Sequence, residues 1–209
     1  SLISVTIPAT LEVVEGEAPF DGCNNLQKIK VSGENSTFFL GNDGVLFQKK
    51  QGQVLLVQYP AGKLDASYTI PSNVSSIYTH AFRGCLNLQE INVATGNTTY
   101  SSEDGVLFKT VTTSTVSEKQ LIKYPEAKKD SSYTIPAGVN RVNKDAFFNC
   151  TKLTSITIPD GMTGVIEPEA FSGSTKLTEF KVADGNAAYS AEEGVLFNAG
   201  KTTLFLYPK

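Results

Sequence analysis

The apolar positions of this 209-residue chain recur in a fixed order. Each Thr-Ile-Pro is followed by a Phe 11 or 12 residues after the Pro, then by three more apolar residues at steps of six, three and two. The order runs Pro8, Phe20, Leu26, Ile29, Val31, and again Pro71, Phe82, Leu88, Ile91, Val93. It returns from Pro136 through Phe147, Leu153, Ile156 and Ile158, and from Pro159 through Phe171, Leu177, Phe180 and Val182. The copies occupy 6–31, 69–93, 134–158 and 157–182, and the opening Leu2, Val5 and Ile7 fit the end of the same pattern. In LxxIxV the last two apolar positions alternate with polar ones, the period of a half-buried strand. The Pro that follows has no N–H to give to a ladder and ends the strand. A single unit of this length cannot bury its apolar side alone, whereas stacked copies form a continuous core, so the spacing predicts a solenoid. The return through the Ala-Phe step is too short for a long helix and is expected to be a turn or a 3₁₀ piece.

The last two copies are 23 residues apart, but the others are separated by 63 and 65, so roughly 40 residues are inserted between them. The inserted units, 32–68, 94–133 and 183–209, repeat as well: NSTFFLGNDGVLF, NTTYSSEDGVLF and NAAYSAEEGVLF, each closing on Tyr59, Tyr124 or Tyr207 followed by Pro. GVLF and the Tyr-Pro run read as two antiparallel strands of a β-hairpin. The Tyr-Pro strand could instead join the main parallel sheet as an extra coil, and the spacing is compatible with both. The stretch between them varies in length and sequence, as a hairpin tip does. Its Thr-rich version at 109–120 is expected to be a mobile loop.

The LxxIxVP…AF…C pattern, with NxxY…DGVLF…YP…YTIP between copies, resembles the BspA-like class of leucine-rich repeat. The resemblance covers nearly the whole chain. Two departures stand out: the first return reads TLEVVEGEAPF, and Ser174 replaces the Cys of the other copies. The resemblance implies a β-rich right-handed leucine-rich-repeat solenoid with interleaved β-hairpin units, as a single domain over 1–209. One face would be a parallel sheet and the other short turns or 3₁₀ pieces. It further implies a secreted or surface-displayed bacterial protein, adhesin-like and non-enzymatic. Its partners would be a host extracellular-matrix or cell-surface protein, or a glycan.

Charge and composition narrow the chemistry. Eighteen basic and 21 acidic residues leave a net charge of −3, too little for a nucleic-acid footprint or a polybasic membrane anchor. No apolar run is long enough to span a bilayer, and the opening residues lack a charged region and cleavage site, so no export signal is expected within this sequence. Cys23, Cys85 and Cys150 share one repeat position and are separated by inserted units, which predicts reduced, buried thiols. They lack metal-ligand spacing, and neither a metal nor a cofactor is expected. His80, the only histidine, is expected to be solvated at the Ala-Phe turn. Asp43, Glu103/Asp104 and Glu192/Glu193 precede a Gly and read as turn residues, not as a calcium loop. No P-loop, dinucleotide or hydrolase motif is present, so catalysis has no candidate residue. Sequons at Asn35, Asn73, Asn97 and Asn149 matter only where a eukaryotic glycosylation route exists.

What remains is a surface. With Leu26, Ile29 and Val31 inward, Lys28 and Lys30 point outward, as do Glu90 and Asn92, Ser155 and Thr157, and Glu179 and Lys181 in later coils. These eight residues are the candidate binding face, although polar outward positions are also what solubility requires. The sequence is therefore read as a binding module, the alternative being a structural spacer of a larger surface protein with no ligand of its own.

Overall fold

The computed structural model describes residues 2–16 and 18–208, which form two compact units, Ser1–Ser101 and Ser102–Lys209. Each unit is a stretch of β-solenoid, and the LxxIxV segments are its parallel ladders. In the first unit Ser4–Ile7 pairs with Lys28–Val31, and Ser67–Ile70 with Glu90–Val93. In the second, Ser132–Thr134, Ser155–Ile158 and Glu179–Val182 form a three-stranded parallel sheet. Register follows the repeat: Val5 faces Ile29, Tyr68 faces Ile91, and Tyr133, Ile156 and Phe180 lie in one row. Ile29 is buried while Lys28 and Lys30 are exposed, which is the alternation the sequence predicts.

The inserted unit contains both the hairpin and a parallel pairing, in a combination the sequence left open. In the first unit Phe38–Leu40, Leu46–Lys50 and Gln53–Gln58 form an antiparallel meander. Its last strand, the one leading to Tyr59, pairs in parallel with Val74–Ile77. That partner lies in the return of the following repeat, not in the main sheet. The second unit repeats the arrangement with Val106–Thr112, Ser117–Lys123 and Val139–Val142. The second and third returns thus carry strands of their own. Among the described residues only the fourth has a 3₁₀ segment, Pro168–Phe171, where the Pro at its start presets φ for a helical turn. The equivalent steps at Ala81 and Ala146 are single turns, closed by bonds from Ala81 N–H to Tyr78 and from Ala146 N–H to Asn143.

One residue decides the turn before GVLF. Asp104 and Gly105 have φ of 49° and 70°, and Glu193 and Gly194 have 50° and 80°, both central positions left-handed as a two-residue type I′ hairpin requires. The first inserted unit has one more residue between its aromatic and its Gly. There the left-handed residue is Gly44 alone, at φ 78°, and Asp43 Oδ1 accepts from Val45 N–H at 3.2 Å. The stretch 109–120, expected as a mobile loop, is mostly strand. Its tip is a tight turn in which Thr113 N–H donates to the Val116 carbonyl at 2.8 Å. Alternating Thr and Val favour extended backbone, and that preference governs this segment.

Aromatic rows bind the layers. In the second unit Tyr124 contacts Tyr133 at 5.0 Å and Phe147 at 5.5 Å between ring centres, and Phe147 stacks on Phe171 at 5.3 Å. Phe171 meets Phe180 edge-on at 5.2 Å. In the first unit Tyr59, Tyr68 and Phe82 form the same group. Phe147→Ala should therefore destabilise the second unit by about 3 to 5 kcal/mol, read by denaturant unfolding. Burial, followed by the nearby Asp65 for Tyr59 and Asp130 for Tyr124, holds these hydroxyls well above the ordinary tyrosine value of 10.0, and Tyr68 and Tyr133 are raised in the same way. Folded values above the unfolded one mean that the stabilisation is complete below pH 10.0 and is lost as pH rises toward the folded values. In an alkaline titration the tyrosinate absorbance of Tyr59, Tyr68, Tyr124 and Tyr133 should accordingly rise together with loss of circular dichroism, not before it.

Candidate functional site

The eight candidate face residues fall four in each unit. In the first, Lys28 and Lys30 are exposed beside Ser4 and Thr6 of the neighbouring strand. Glu90 is exposed and Asn92 half-buried, and Asn92 Nδ2 donates to Glu90 Oε2 at 3.3 Å. In the second unit Ser155 does not belong to an open face, since only 8% of it is exposed. It sits on the middle strand, directly between Ser132 and Glu179, and its short side chain does not clear those neighbours. Thr157, between Thr134 and Lys181, is half-buried for the same reason. Glu179 and Lys181 lie on the outer strand, Lys181 Nζ 3.1 Å from Glu179 Oε2.

That outer strand borders an open cleft of about 550 Å³, lined by Thr178, Glu179, Lys181, Val182, Glu193 and Gly194, among others. Phe180 N–H donates to the Gly194 carbonyl at 2.9 Å, so the glutamate-glycine turn of the inserted unit sits against the sheet edge and forms one wall. The cleft therefore combines a fixed Glu–Lys pair, a further carboxylate at Glu193 and the edge of a parallel sheet.

The Asn of the recurring NxxY motif builds a second constellation, whose bonding the sequence did not show. Asn35 Nδ2 donates to the carbonyls of Pro8 and Leu11 at 2.9 and 3.0 Å, and its Oδ1 accepts from Thr37 and Phe38 N–H at 2.8 and 2.7 Å. Asn97 makes the same four bonds, to Pro71, Val74, Thr99 and Tyr100. Asn186 makes them to Pro159, Met162, Ala188 and Tyr189. Each clamp ties the start of an inserted unit to the turn after Thr-Ile-Pro one coil earlier. Its one signal is an Asn three residues before the aromatic in every inserted unit. The sequons at Asn35 and Asn97 are these clamps. Asn73 lies exposed in the turn after Pro71, and Asn149 Nδ2 donates to Glu126.

The remaining singled-out side chains are placed as follows. None of the three cysteines is in a disulfide, and Cys85 and Cys150 are buried, but Cys23 is only half-buried. The Tyr124 carbonyl covers Cys150, 3.8 Å from its Sγ. His80 is not simply solvated: Nδ1 lies 3.7 Å from Asp21 Oδ2, which Arg83 also meets at 3.0 Å. Among the described residues no three His, Cys, Asp or Glu side chains are grouped to hold a metal ion. None of the helices there is long and apolar enough to cross a membrane.

The sequence pattern of BspA type leucine rich repeat regions matches residues 64–126 and 126–193, with six copies. The fold is similar to that of the pneumococcal vaccine antigen PcpA, at 24% identity and a TM-score of 0.54 over 85% of this chain and 38% of that one. A leucine rich cell surface protein from Faecalibacterium prausnitzii is 20% identical, with a TM-score of 0.49 over 86% of this chain and 60% of its own. The chain thus spans less than two thirds of either protein. No curated protein matches the sequence.

Two outcomes check this geometry. Asn97→Ala leaves two carbonyls and two N–H groups without their partner and should destabilise the first unit by about 2 to 4 kcal/mol in denaturant unfolding. A bulky thiol reagent applied to the native protein should label Cys23 first and Cys150 last, because burial pushes the Cys150 thiol up to about 12 despite nearby Lys123.

Proposed function

We propose that this chain, which belongs to the BspA type leucine-rich repeat family, is a non-enzymatic binding module displayed on the cell surface or secreted, adhesin-like in role. Its ligand is a host matrix or cell-surface protein, or a glycan, met through the polar strand face. The observation that supports this most is the cleft along Glu179–Val182, where an acidic and a basic side chain are held in register beside a sheet edge. Rigid strands present those groups without a backbone ordering penalty on binding, which favours affinity. The cell-surface description of the Faecalibacterium protein agrees with the proposed location. The hairpin tips are also ordered strands, so preference for the face rests on its charge pairing and the cleft rather than on loop entropy.

The test is an array of immobilised matrix proteins and glycans. Combined Glu179→Lys and Lys181→Glu should weaken the strongest interaction at least tenfold, with the melting temperature nearly unchanged because exposed pairs contribute about 0 to 1 kcal/mol. Lys28→Glu with Lys30→Glu reports the same for the first unit. Unchanged binding in both variants, together with loss on altering 113–116, would assign binding to the tips. No saturable binding by this chain, alongside binding by a longer one, would make it a spacer.

A further inference from the structure

One coil departs from the repeat at three positions that converge in space. Lys123, before Tyr124, replaces the Gln58 of the first unit, Glu126 replaces Ala61, and Asn149 replaces Gly84. Gln58 Nε2 donates to the backbone carbonyls of Tyr59 and Ala81. In the second unit Lys123 Nζ lies 2.9 Å from Glu126 Oε1, and the side chains are 8% and 0% exposed. Asn149 Nδ2 donates to the other oxygen of the same carboxylate at 3.2 Å. The Lys123 ammonium also lies 5.5 Å from the Phe148 ring centre, so an amine and a carboxylate that are buried meet a half-buried carboxamide beside an aromatic ring.

The backbone at Asn149 underlines the departure. Its φ is 56°, and the equivalent Gly22, Gly84 and Gly173 stand at 75°, 76° and 78°. The position needs a left-handed residue, which Gly adopts without a steric penalty and Asn tolerates. An Asn here is therefore not selected by the turn. Its backbone is fixed in place, because Asn149 N–H donates to the Ser172 carbonyl at 2.8 Å and the Asn149 carbonyl accepts from Thr151 N–H at 2.9 Å. A buried ion pair is by itself weak support for stability, since desolvation offsets the attraction. One that also grips a carboxamide is arranged for chemistry between its neighbours.

We propose that Lys123 and Asn149 form an intramolecular isopeptide bond, with Glu126 as the proton carrier. Glu126 takes a proton from Lys123 Nζ, leaving a neutral amine and a carboxylic acid. Nζ then attacks Asn149 Cγ. Glu126 delivers a proton to Nδ2 and receives one from the attacking nitrogen, the Cγ–Nδ2 bond breaks, and the Cγ–Nζ amide remains. The departing ammonia leaves with the extra proton as ammonium, so Glu126 ends as a carboxylate. No oxidant or other reactant is involved, and burial of Lys123 and Glu126 shields the amine and the proton carrier from water. The bond would tie the end of the inserted unit to the following Ala-Phe turn covalently, independently of whether the chain binds a ligand.

Intact-mass measurement of the purified full chain tests this directly. The expected mass is below that of the sequence by one ammonia, with a branched peptide joining 123 to 149 after proteolysis and none joining 58 to 84. Asn149→Gly, which restores the residue of the other copies, and Glu126→Gln should both return the full mass. Circular dichroism confirms that each variant is folded. A native chain of full mass would overturn the proposal. So would ammonia loss mapped to another site, or loss that persists in either variant.

Discussion

An asparagine amide with all four of its hydrogen-bonding positions engaged holds each inserted unit in this fold. A solenoid tolerates an insertion only if the chain leaves one coil and re-enters the next without disturbing register. Asn35, Asn97 and Asn186 meet that condition by fastening the start of the insertion to the turn that ends the previous strand. The far end is fastened by the Tyr-Pro strand, which pairs with the return of the next repeat. Each of these tyrosines then closes on an Asp six residues on, Tyr59 on Asp65 and Tyr124 on Asp130. The inserted units are thus structural parts of the coil stack and not appendages.

Legibility in the sequence follows from how each interaction is encoded. Ladder strands were readable because burial of Ile29, Ile91, Ile156 and Phe180 imposes an apolar residue at a fixed step, and Pro marks the strand end. The pairing of Gln53–Gln58 with Val74–Ile77 was not, because a parallel ladder between backbone groups leaves no side-chain signature of its partner. Ser155 was misplaced because alternation tells which way a side chain points and not how tall its neighbours are. The Asn of NxxY recurs visibly at one offset from an aromatic, but its four bonds are to backbone groups, which leave no side-chain signature of their own in the sequence.

Within one chain, positions alike in every copy carry packing, and positions that differ are where an individual coil acquires its own properties. The Leu, Ile, Phe and Tyr rows belong to the first class. Glu179 and Lys181 beside the cleft, and the buried Lys123 and Glu126 with the half-buried Asn149, belong to the second. The rigid rows hold both sets in place, which is how a repeated scaffold carries local chemistry without altering its fold.

The clamp is tested most directly by amide hydrogen exchange at the residues bonded to its side-chain oxygen. Thr99 and Tyr100 lie at the start of an inserted unit, where a loop would exchange quickly. If Asn97 holds them, their amides should be protected to nearly the degree of Ala94, whose N–H donates to Ile70 at 2.9 Å in the parallel ladder. Exchange at Thr99 and Tyr100 near the rate of an unstructured peptide, with Ala94 still protected, would contradict the account.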